Sequence, residues 1–452
     1  MRIRLTLPLT LKEIANAIEA PLYSHDRTVN AITTNSNEVS DGDLFIALKG
    51  ENFDGNAFVS EANRRGGIAL TEIYDGYNLT VKSVTDAFLK IAAYYKSKLT
   101  RLEKTVAVTG SVGKTTTKNI LKEMLASKYK VHATSENLNN IIGVCITVLT
   151  APQDTEILVI EMGMNHFGEL SELSRAIMPN IAVITNVGTA HVGNLGSREM
   201  IAKAKLEISD GMSDSGIMII PYGESLLYTK NNSFTVSTTD KEAFCYLKVT
   251  DKSHLHTKFS AFIDGGKIFE ATLKLPGEHV AMAVAFSVAI CLIVGIDRDF
   301  IKRAAEALDA RCMRGKFIDI GNWRIFDDTY SSSPEAVISD FKLLSLHSSK
   351  RSCVLGDMLE LGAHTEELHK KIGAAAYEYG FRHIYAFGVY APFIAAGATG
   401  AGMARERISV NTDPTAPHIT AEQIKKHGVA EEIILVKASH ALHAERIYDY
   451  LK

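Results

Sequence analysis

The stretch Thr105-Val106-Ala107-Val108-Thr109-Gly110-Ser111-Val112-Gly113-Lys114-Thr115-Thr116-Thr117 decides the reading of this chain. It opens as a short apolar run bounded by glycine, the pattern of a buried strand. Beyond the glycines, Ile120/Met124 and Leu121/Leu125 repeat at i,i+4, the spacing of one helix face. A strand, a glycine turn and a helix start in succession converge backbone N–H groups and the positive end of a helix dipole on one point, an arrangement that suits phosphate. Gly110, Ser111, Val112 and Gly113 would close around the phosphates with Thr116 beside them. Lys114 would reach the terminal phosphates and Thr115 would sit on Mg²⁺. The spacing is shorter than G-x4-G-K-[ST], because Val108 stands where the first glycine usually does.

Working outward, Ile157-Leu158-Val159-Ile160 ends in Glu161, and Ile181-Ala182-Val183-Ile184 ends in Thr185-Asn186. Continuous apolar strands belong to parallel sheets covered on both faces, and such sheets bind ligands at their carboxyl ends. At such an end Glu161 either holds Mg²⁺ opposite the phosphate loop or caps a helix. His191 faces the same choice between site and scaffold, and Lys205 by itself reads as a solvated helix lysine. The expected fold is α/β in three domains. Residues 1–100 form a smaller N-terminal α/β domain, with a strand at 44–48 and helices near 57–65 and 85–99. Residues 101–310 form a central P-loop ATPase-like domain, a mostly parallel sheet with helices on both faces, an edge hairpin at 258–263 and 267–275, and a buried helix over 280–296. Residues 311–452 form a Rossmann-like α/β domain with strands ending at Asp327-Asp328, Gly356-Asp357, Gly388 and Lys437.

Composition narrows the function classes. The 452 residues are 46% hydrophobic and 22% charged, ordinary globular usage, and at about 150 residues per domain the length fits three. With 49 Lys plus Arg against 52 Asp plus Glu, a net charge of −3 gives no case for nucleic acid or an anionic membrane as partner. The apolar run 280–296 falls short of the ~20 residues of a membrane span. Cysteines at 145, 245, 291, 312 and 353 form no CxxC pair, so neither a disulfide framework nor a zinc site is indicated. The N-terminus lacks a signal-peptide core, and a reduced, cytoplasmic protein is expected.

Seven segments carry a resemblance: 109–118 (TGSVGKTTTK), 137–144 (NLNNIIGV), 161–191 (EMGMNHFGELSELSRAIMPNIAVITNVGTAH), 196–207 (GSREMIAKAKLE), 275–279 (LPGEH), 327–337 (DDTYSSSPEAV) and 354–362 (VLGDMLELG). In order and spacing the chain resembles the Mur ligases, nearest the member that adds D-alanyl-D-alanine to a UDP-N-acetylmuramoyl tripeptide in peptidoglycan precursor synthesis. The resemblance implies an ATP-dependent amide ligase. The substrate carboxylate takes the γ-phosphoryl group of ATP, an amine attacks the acyl phosphate, and phosphate leaves. It implies Thr115 and Glu161 as metal ligands, His191 as a further ligand near the substrate carboxylate, and Lys205 as a carbamylated lysine organising a second Mg²⁺. Asn139 and Asn140 would lie near the ATP and acceptor sites, and His279, Arg314 and Asp328 would contact the nucleotide. Ser36 would bind the uridine-diphosphate part. The partners implied are small molecules, a nucleotide sugar-peptide and a dipeptide, with the protein a monomer that closes around them.

The sequence also departs from the family pattern. Val280 and Ala283 stand where asparagines usually contact adenine, and Ser331 and Ser333 replace both asparagines of the DDxYNxNP segment. An Asp-Ser/Thr-Arg segment reads Asn35-Ser36-Asn37, although 41–58 after it keeps the pattern. A terminal Lys-Gly-Ser-Arg reads Lys437-Ala438-Ser439-His440. These changes leave two alternatives open: a ligase of the same type that joins a different acid and amine, and a nucleotide-binding homologue without ligase activity.

Overall fold

Three large sheets, each with its own helices, follow one another along the chain, and a two-stranded ribbon, Lys49–Gly50 with Phe53–Asp54, lies within the first part. The computed structural model describes residues 2–50, 53–227, 232–347 and 350–452; Glu51 and Asn52, inside the segment 41–58, lie outside the described residues. The first sheet has five strands in the order Arg2–Thr10, Thr28–Thr33, Leu44–Ile46, Ile68–Thr71, Leu79–Thr80, with only the first pair antiparallel. The helix expected near 57–65 is a 3-10 turn, Gly55–Phe58, running into Val59–Arg64, because Asp54 accepts from Asn56 N and tightens the entry. The helix Val84–Ser97 is capped by Ser83 and buries Phe88, Ile91, Ala92 and Tyr95. The hydroxyls of Tyr95 and Thr6 both donate to the carbonyl of Ala151, at 3.1 and 2.7 Å, tying this sheet to the next.

The second sheet has nine strands: Gly266–Leu273, Thr257–Ile263, Cys245–Lys252, Asn232–Ser237, Ile217–Pro221, Ile181–Ile184, Lys104–Thr109, Ile157–Glu161 and Val131–Ala133, in spatial order. All neighbours are parallel except the first three strands, which form an antiparallel flap. Its hairpin turns at Asp264 and Gly265, with φ of +47° and +76°, the two left-handed residues of a type I′ turn. The helix Lys114–Leu125 buries Ile120, Leu121, Met124 and Leu125 completely, each worth about 1.5–3 kcal/mol of apolar burial. It packs on Glu278–Ile293, the buried helix read from the 280–296 run. Among the described residues no helix is long and apolar enough to cross a membrane. All five cysteines are free and buried.

The third sheet runs Lys316–Ile320, Trp323–Asp328, Ile433–Lys437, Arg351–Gly356, His383–Phe387, Ile408–Asn411, parallel beyond the first pair. Four of these strands are the apolar runs read from sequence. The two edge strands, KFIDI and ISVN, were not anticipated, since their partly exposed residues carry no apolar run.

Candidate active site

Register sets the site. Glu161 pairs with Val108, and Ile184 with Thr109, so three central strands end level with the glycine turn. Gly110 has φ +149°, and a Cβ there would fall 1.9 Å from Thr185 Oγ1; Gly113, at φ +85°, caps the following helix. The loop after the strand Ile181–Ile184 braces the turn. Val112 N donates to Asn186 Oδ1 at 3.0 Å, while Asn186 Nδ2 and Thr185 Oγ1 donate to Val112 O at 2.8 and 2.6 Å. Gly188 N donates to Ser111 Oγ at 2.9 Å. Lys114 Nζ folds back onto the carbonyls of Gly110 and Ser111, at 2.6 and 3.4 Å. Burial pushes its ammonium down to about 8, opposed by the charge of Glu161.

Glu161 is fully buried. Its Oε1 accepts from Asn139 Nδ2 at 2.8 Å and from Thr115 Oγ1 at 3.2 Å, and Oε2 has no hydrogen-bond partner. Arg314 Nη2 donates to Thr115 Oγ1 at 2.9 Å, its guanidinium 4.5 Å from the centre of the Tyr330 ring. An orphaned anionic oxygen beside a hydroxyl at the mouth of a phosphate loop fits a hard divalent cation. Among the described residues no cluster of three or more His, Cys, Asp and Glu could hold a metal. Mg²⁺ is a hard cation that keeps waters and takes most of its other ligands from phosphates, so a carboxylate and a hydroxyl are the protein donors it needs.

Two cavities meet here. One is lined by Ser111 to Thr116, His279, Asp328, Ser331 to Ser333 and Lys437. The other, of about 440 Å³, is lined by Asn139, Asn140, Glu161 and, from the N-terminal domain, Lys49 and Thr85. Lys114, His191 and Arg314 line both. His191, itself at φ +65°, pairs through Nδ1 with Glu360 of the C-terminal part, which holds the Glu360 carboxyl below its usual range. Thr189 N and Oγ1 both donate to Glu335 Oε1, at 2.7 and 2.9 Å, and Gly193 N donates to Glu360 O at 2.8 Å. The loop 188–193 is thus docked on the third sheet's domain.

The structure therefore gathers Gly110 to Thr116, Asn139, Asn140, Glu161, His191, His279, Arg314 and Asp328 around two adjoining cavities. Lys205 lines neither. It is 1% exposed on the helix Arg198–Leu206, which corrects its residue-level reading as a solvated lysine. Burial and the nearby charge of Lys114 push its ammonium well below the usual lysine range. Ser36 also lines neither cavity; it is buried at the start of the turn Ser36–Glu38, where Asn35 Oδ1 accepts from Asn37 N at 3.1 Å. Of the family departures, Val280 and Ala283 are buried in helix packing, and Ser333 caps the helix Pro334–Leu344. Sequence reasoning missed Lys49, Glu335, Glu360 and Asp340. Each acts across domains or from a helix face where a charged residue looks like solvated surface.

With that geometry in place, comparison with known proteins is informative. Residues 108–291 match the Mur ligase middle domain, and residues 28–140 match the Mur ligase family catalytic domain. The UDP-N-acetylmuramoyl-tripeptide--D-alanyl-D-alanine ligase of Bacillus subtilis (strain 168) is 34% identical over 457 residues, 97% of either chain. A crystal structure of MurF from Acinetobacter baumannii superposes with a TM-score of 0.89 at 26% identity, covering 99% of both chains. MurF ligase from Thermotoga maritima in complex with ADP superposes with a TM-score of 0.81 at 27% identity, over 93% of this chain and 96% of that one.

Proposed function

The chain belongs to the Mur ligase family, and from that premise we propose that it joins D-alanyl-D-alanine to UDP-N-acetylmuramoyl tripeptide at the expense of ATP, in peptidoglycan precursor synthesis. The observation that carries the site assignment is the part-buried Asn139–Glu161–Thr115–Arg314 chain, centred on the fully buried Glu161, at the meeting of two cavities. One cavity begins at a phosphate loop and the other opens toward the N-terminal domain at Lys49 and Thr85.

ATP enters along the phosphate loop, and Lys114 exchanges two backbone carbonyls for phosphate oxygens, which restores a counter-charge to a desolvated ammonium. Thr115 and Glu161 would hold Mg²⁺, with His191, which lines the same cavity as Glu161, as the further ligand. Bound there, Mg²⁺ neutralises charge on the phosphates and the transferring group. The tripeptide carboxylate comes through the second cavity past Lys49, Asn139 and Asn140. Its oxygen attacks the γ-phosphorus, the bond to the β–γ bridging oxygen breaks, and ADP leaves. The amine of D-alanyl-D-alanine then adds to the acyl-phosphate carbonyl, and the tetrahedral intermediate expels phosphate. Docking of the loop 188–193 on Glu335 and Glu360 keeps water from the acyl phosphate.

Lys205 would be the residue for carbamylation, because burial pushes its ammonium well below the usual lysine range and so favours the neutral amine that adds CO₂. Residues 1–100 would bind the UDP-sugar part, with Ser36 as its contact. Residues 101–310 would bind ATP with His279 beside the nucleotide, and 311–452 would close the site through Arg314 and Asp328. The protein would work as a cytoplasmic monomer. Phosphate release, measured with the UDP-tripeptide and D-alanyl-D-alanine supplied separately and together, tests the reading. Turnover only with both supports it, and ATP turnover indifferent to the muramoyl tripeptide refutes it.

A further inference from the structure

One buried lysine of the phosphate-loop helix lies outside both cavities. Lys118 is 2% exposed on Lys114–Leu125 and lines neither, whereas Lys114, one turn earlier on the same face, lines both. The Lys118 ammonium donates to the carbonyl of Thr134 at 2.6 Å. Thr134, itself buried, follows the strand Val131–Ala133 and continues its ladder: Thr134 N donates to Val159 O at 3.0 Å, and Thr134 Oγ1 accepts from Glu161 N at 2.9 Å. Lys118, Thr134 and the backbone of Glu161 are therefore tied together behind the carboxylate assigned to the metal. In front, that carboxylate meets only Asn139 and Thr115, and its Oε2 has no partner.

A buried ammonium is tolerated only beside an anion. Burial loosens the hold of Lys118 on its proton, and the charge of Glu161 is the first influence that opposes it. Attraction between two charges is mutual, so Lys118 offsets part of the charge of Glu161. A divalent cation approaching Glu161 meets that fixed positive charge along with the carboxylate. Lys114 also feels Glu161, but it stands in the cavities, where phosphate draws it forward. Lys118 cannot follow, because Thr134 O holds it in the interior. We propose that Lys118 is a positioning residue: through Thr134 it fixes the backbone of Glu161, and as a buried charge it keeps a divalent cation from settling on Glu161 until phosphate oxygens complete the ligand set. This rests on the reading that Thr115 and Glu161 hold Mg²⁺, and it sets the order of loading, the metal arriving with the nucleotide.

The test is Mn²⁺ binding to the full chain at neutral pH, followed by the electron paramagnetic resonance of free Mn²⁺, without nucleotide and with ADP. Lys118→Met keeps the apolar length and removes the charge, so Mn²⁺ alone should bind about tenfold tighter or more. Lys118→Arg keeps the charge and should bind Mn²⁺ alone as weakly as wild type. Thr134→Val leaves the carbonyl for Lys118 and removes only the hydroxyl under Glu161 N; with ADP it should weaken Mn²⁺ about threefold to tenfold. A lysine that merely packs would leave Mn²⁺ affinity unchanged or lowered in Lys118→Met, and either result overturns the inference, as does equal tightening in Lys118→Arg. Wild-type affinity in Thr134→Val would overturn the positioning through Thr134. Thermal melts establish that each variant is folded, and should Lys118→Met not fold, Lys118→Gln decides by the same affinity. Glu161→Gln separates this inference from the reading beneath it. If that variant binds Mn²⁺ with ADP as wild type does, the metal is not held at Glu161 and both fall; if it loses the metal while Lys118→Met shows no tightening, only this inference fails.

Discussion

Two glycines of one turn should respond very differently to the same substitution, and the contrast tests whether the phosphate loop is built as described. At Gly113 an added Cβ meets nothing within 4 Å, so Gly113→Ala incurs only the cost of a left-handed backbone, about 1–2 kcal/mol. At Gly110 the φ of +149° costs an alanine about 1–3 kcal/mol, and its Cβ would lie 1.9 Å from Thr185 Oγ1. Thr185 must then leave its rotamer, at about 1 kcal/mol, and lose its 2.6 Å bond to Val112 O, about another 1 kcal/mol. The sum is about 4 kcal/mol. Thr185→Ala alone should cost only about 1 kcal/mol, because Asn186 Nδ2 still serves Val112 O. In the double variant the 1.9 Å overlap is gone, and the backbone strain and the lost Thr185 bond remain, about 3 kcal/mol, so the two sites should couple by about 2 kcal/mol. Urea unfolding of the four proteins measures this, and ADP titration should find binding lost in both Gly110 variants. Equal damage at Gly110 and Gly113, or no relief from Thr185→Ala, would refute the reasoning.

Lys205→Ala should lose at least a hundredfold in turnover and regain part of it when a short-chain carboxylic acid is added; full activity in the variant would exclude an anion at this position. Glu335→Ala removes both bonds from Thr189 and should cut kcat about tenfold with the ADP Kd changed less than threefold. X-ray scattering should find a larger radius of gyration, and unchanged turnover and dimensions would show that the docked loop is not what holds the domains. His279, His347 and His383 are each pushed down to about 4 by burial, so between pH 6.5 and 4 the unfolded chain binds more protons and stability falls with acid. Asp340, raised to about 7, has the opposite sign, since between about 4 and 7 the folded state holds the extra proton. Urea midpoints should therefore fall from pH 6.5 to 5 in wild type, and more steeply in Asp340→Asn; a shallower fall in the variant would contradict the assignment.

The central strands were legible because burial on both faces forces an unbroken apolar run, and their last residues, Thr109, Glu161 and Ile184, mark one level of the sheet. The glycine turn was legible because only glycine tolerates both the left-handed backbone and the 1.9 Å approach at Gly110. Lys205 was not. Nothing in its helix separates a lysine that faces solvent from one that is 1% exposed, since packing by distant segments makes the difference. The edge strands Lys316–Ile320 and Ile408–Asn411 escaped for the reverse reason, being too exposed to leave a pattern. Glu335 and Glu360 meet partners 146 and 169 residues away, and no local period encodes such a contact.

A net charge of −3 might be taken to argue against a site for two polyanions, and the burial of the cations explains why it does not. Lys114 and Lys205 are both desolvated: the charge of Lys114 lowers the hold of Lys205 on a proton, while Glu161 opposes the desolvation of Lys114. Lys437 is likewise buried, facing Asp328 and Asp340. Lys114, whose ammonium meets only backbone carbonyls, is costly without a phosphate and cheap with one, so the free energy of bringing phosphates into the cleft includes relief of a strain stored when the protein folded. Composition counts such lysines as it counts surface ones. What makes them functional is that the chain ends its buried strands on them or on their anions, and a charge at the end of a buried strand has no water to fall back on.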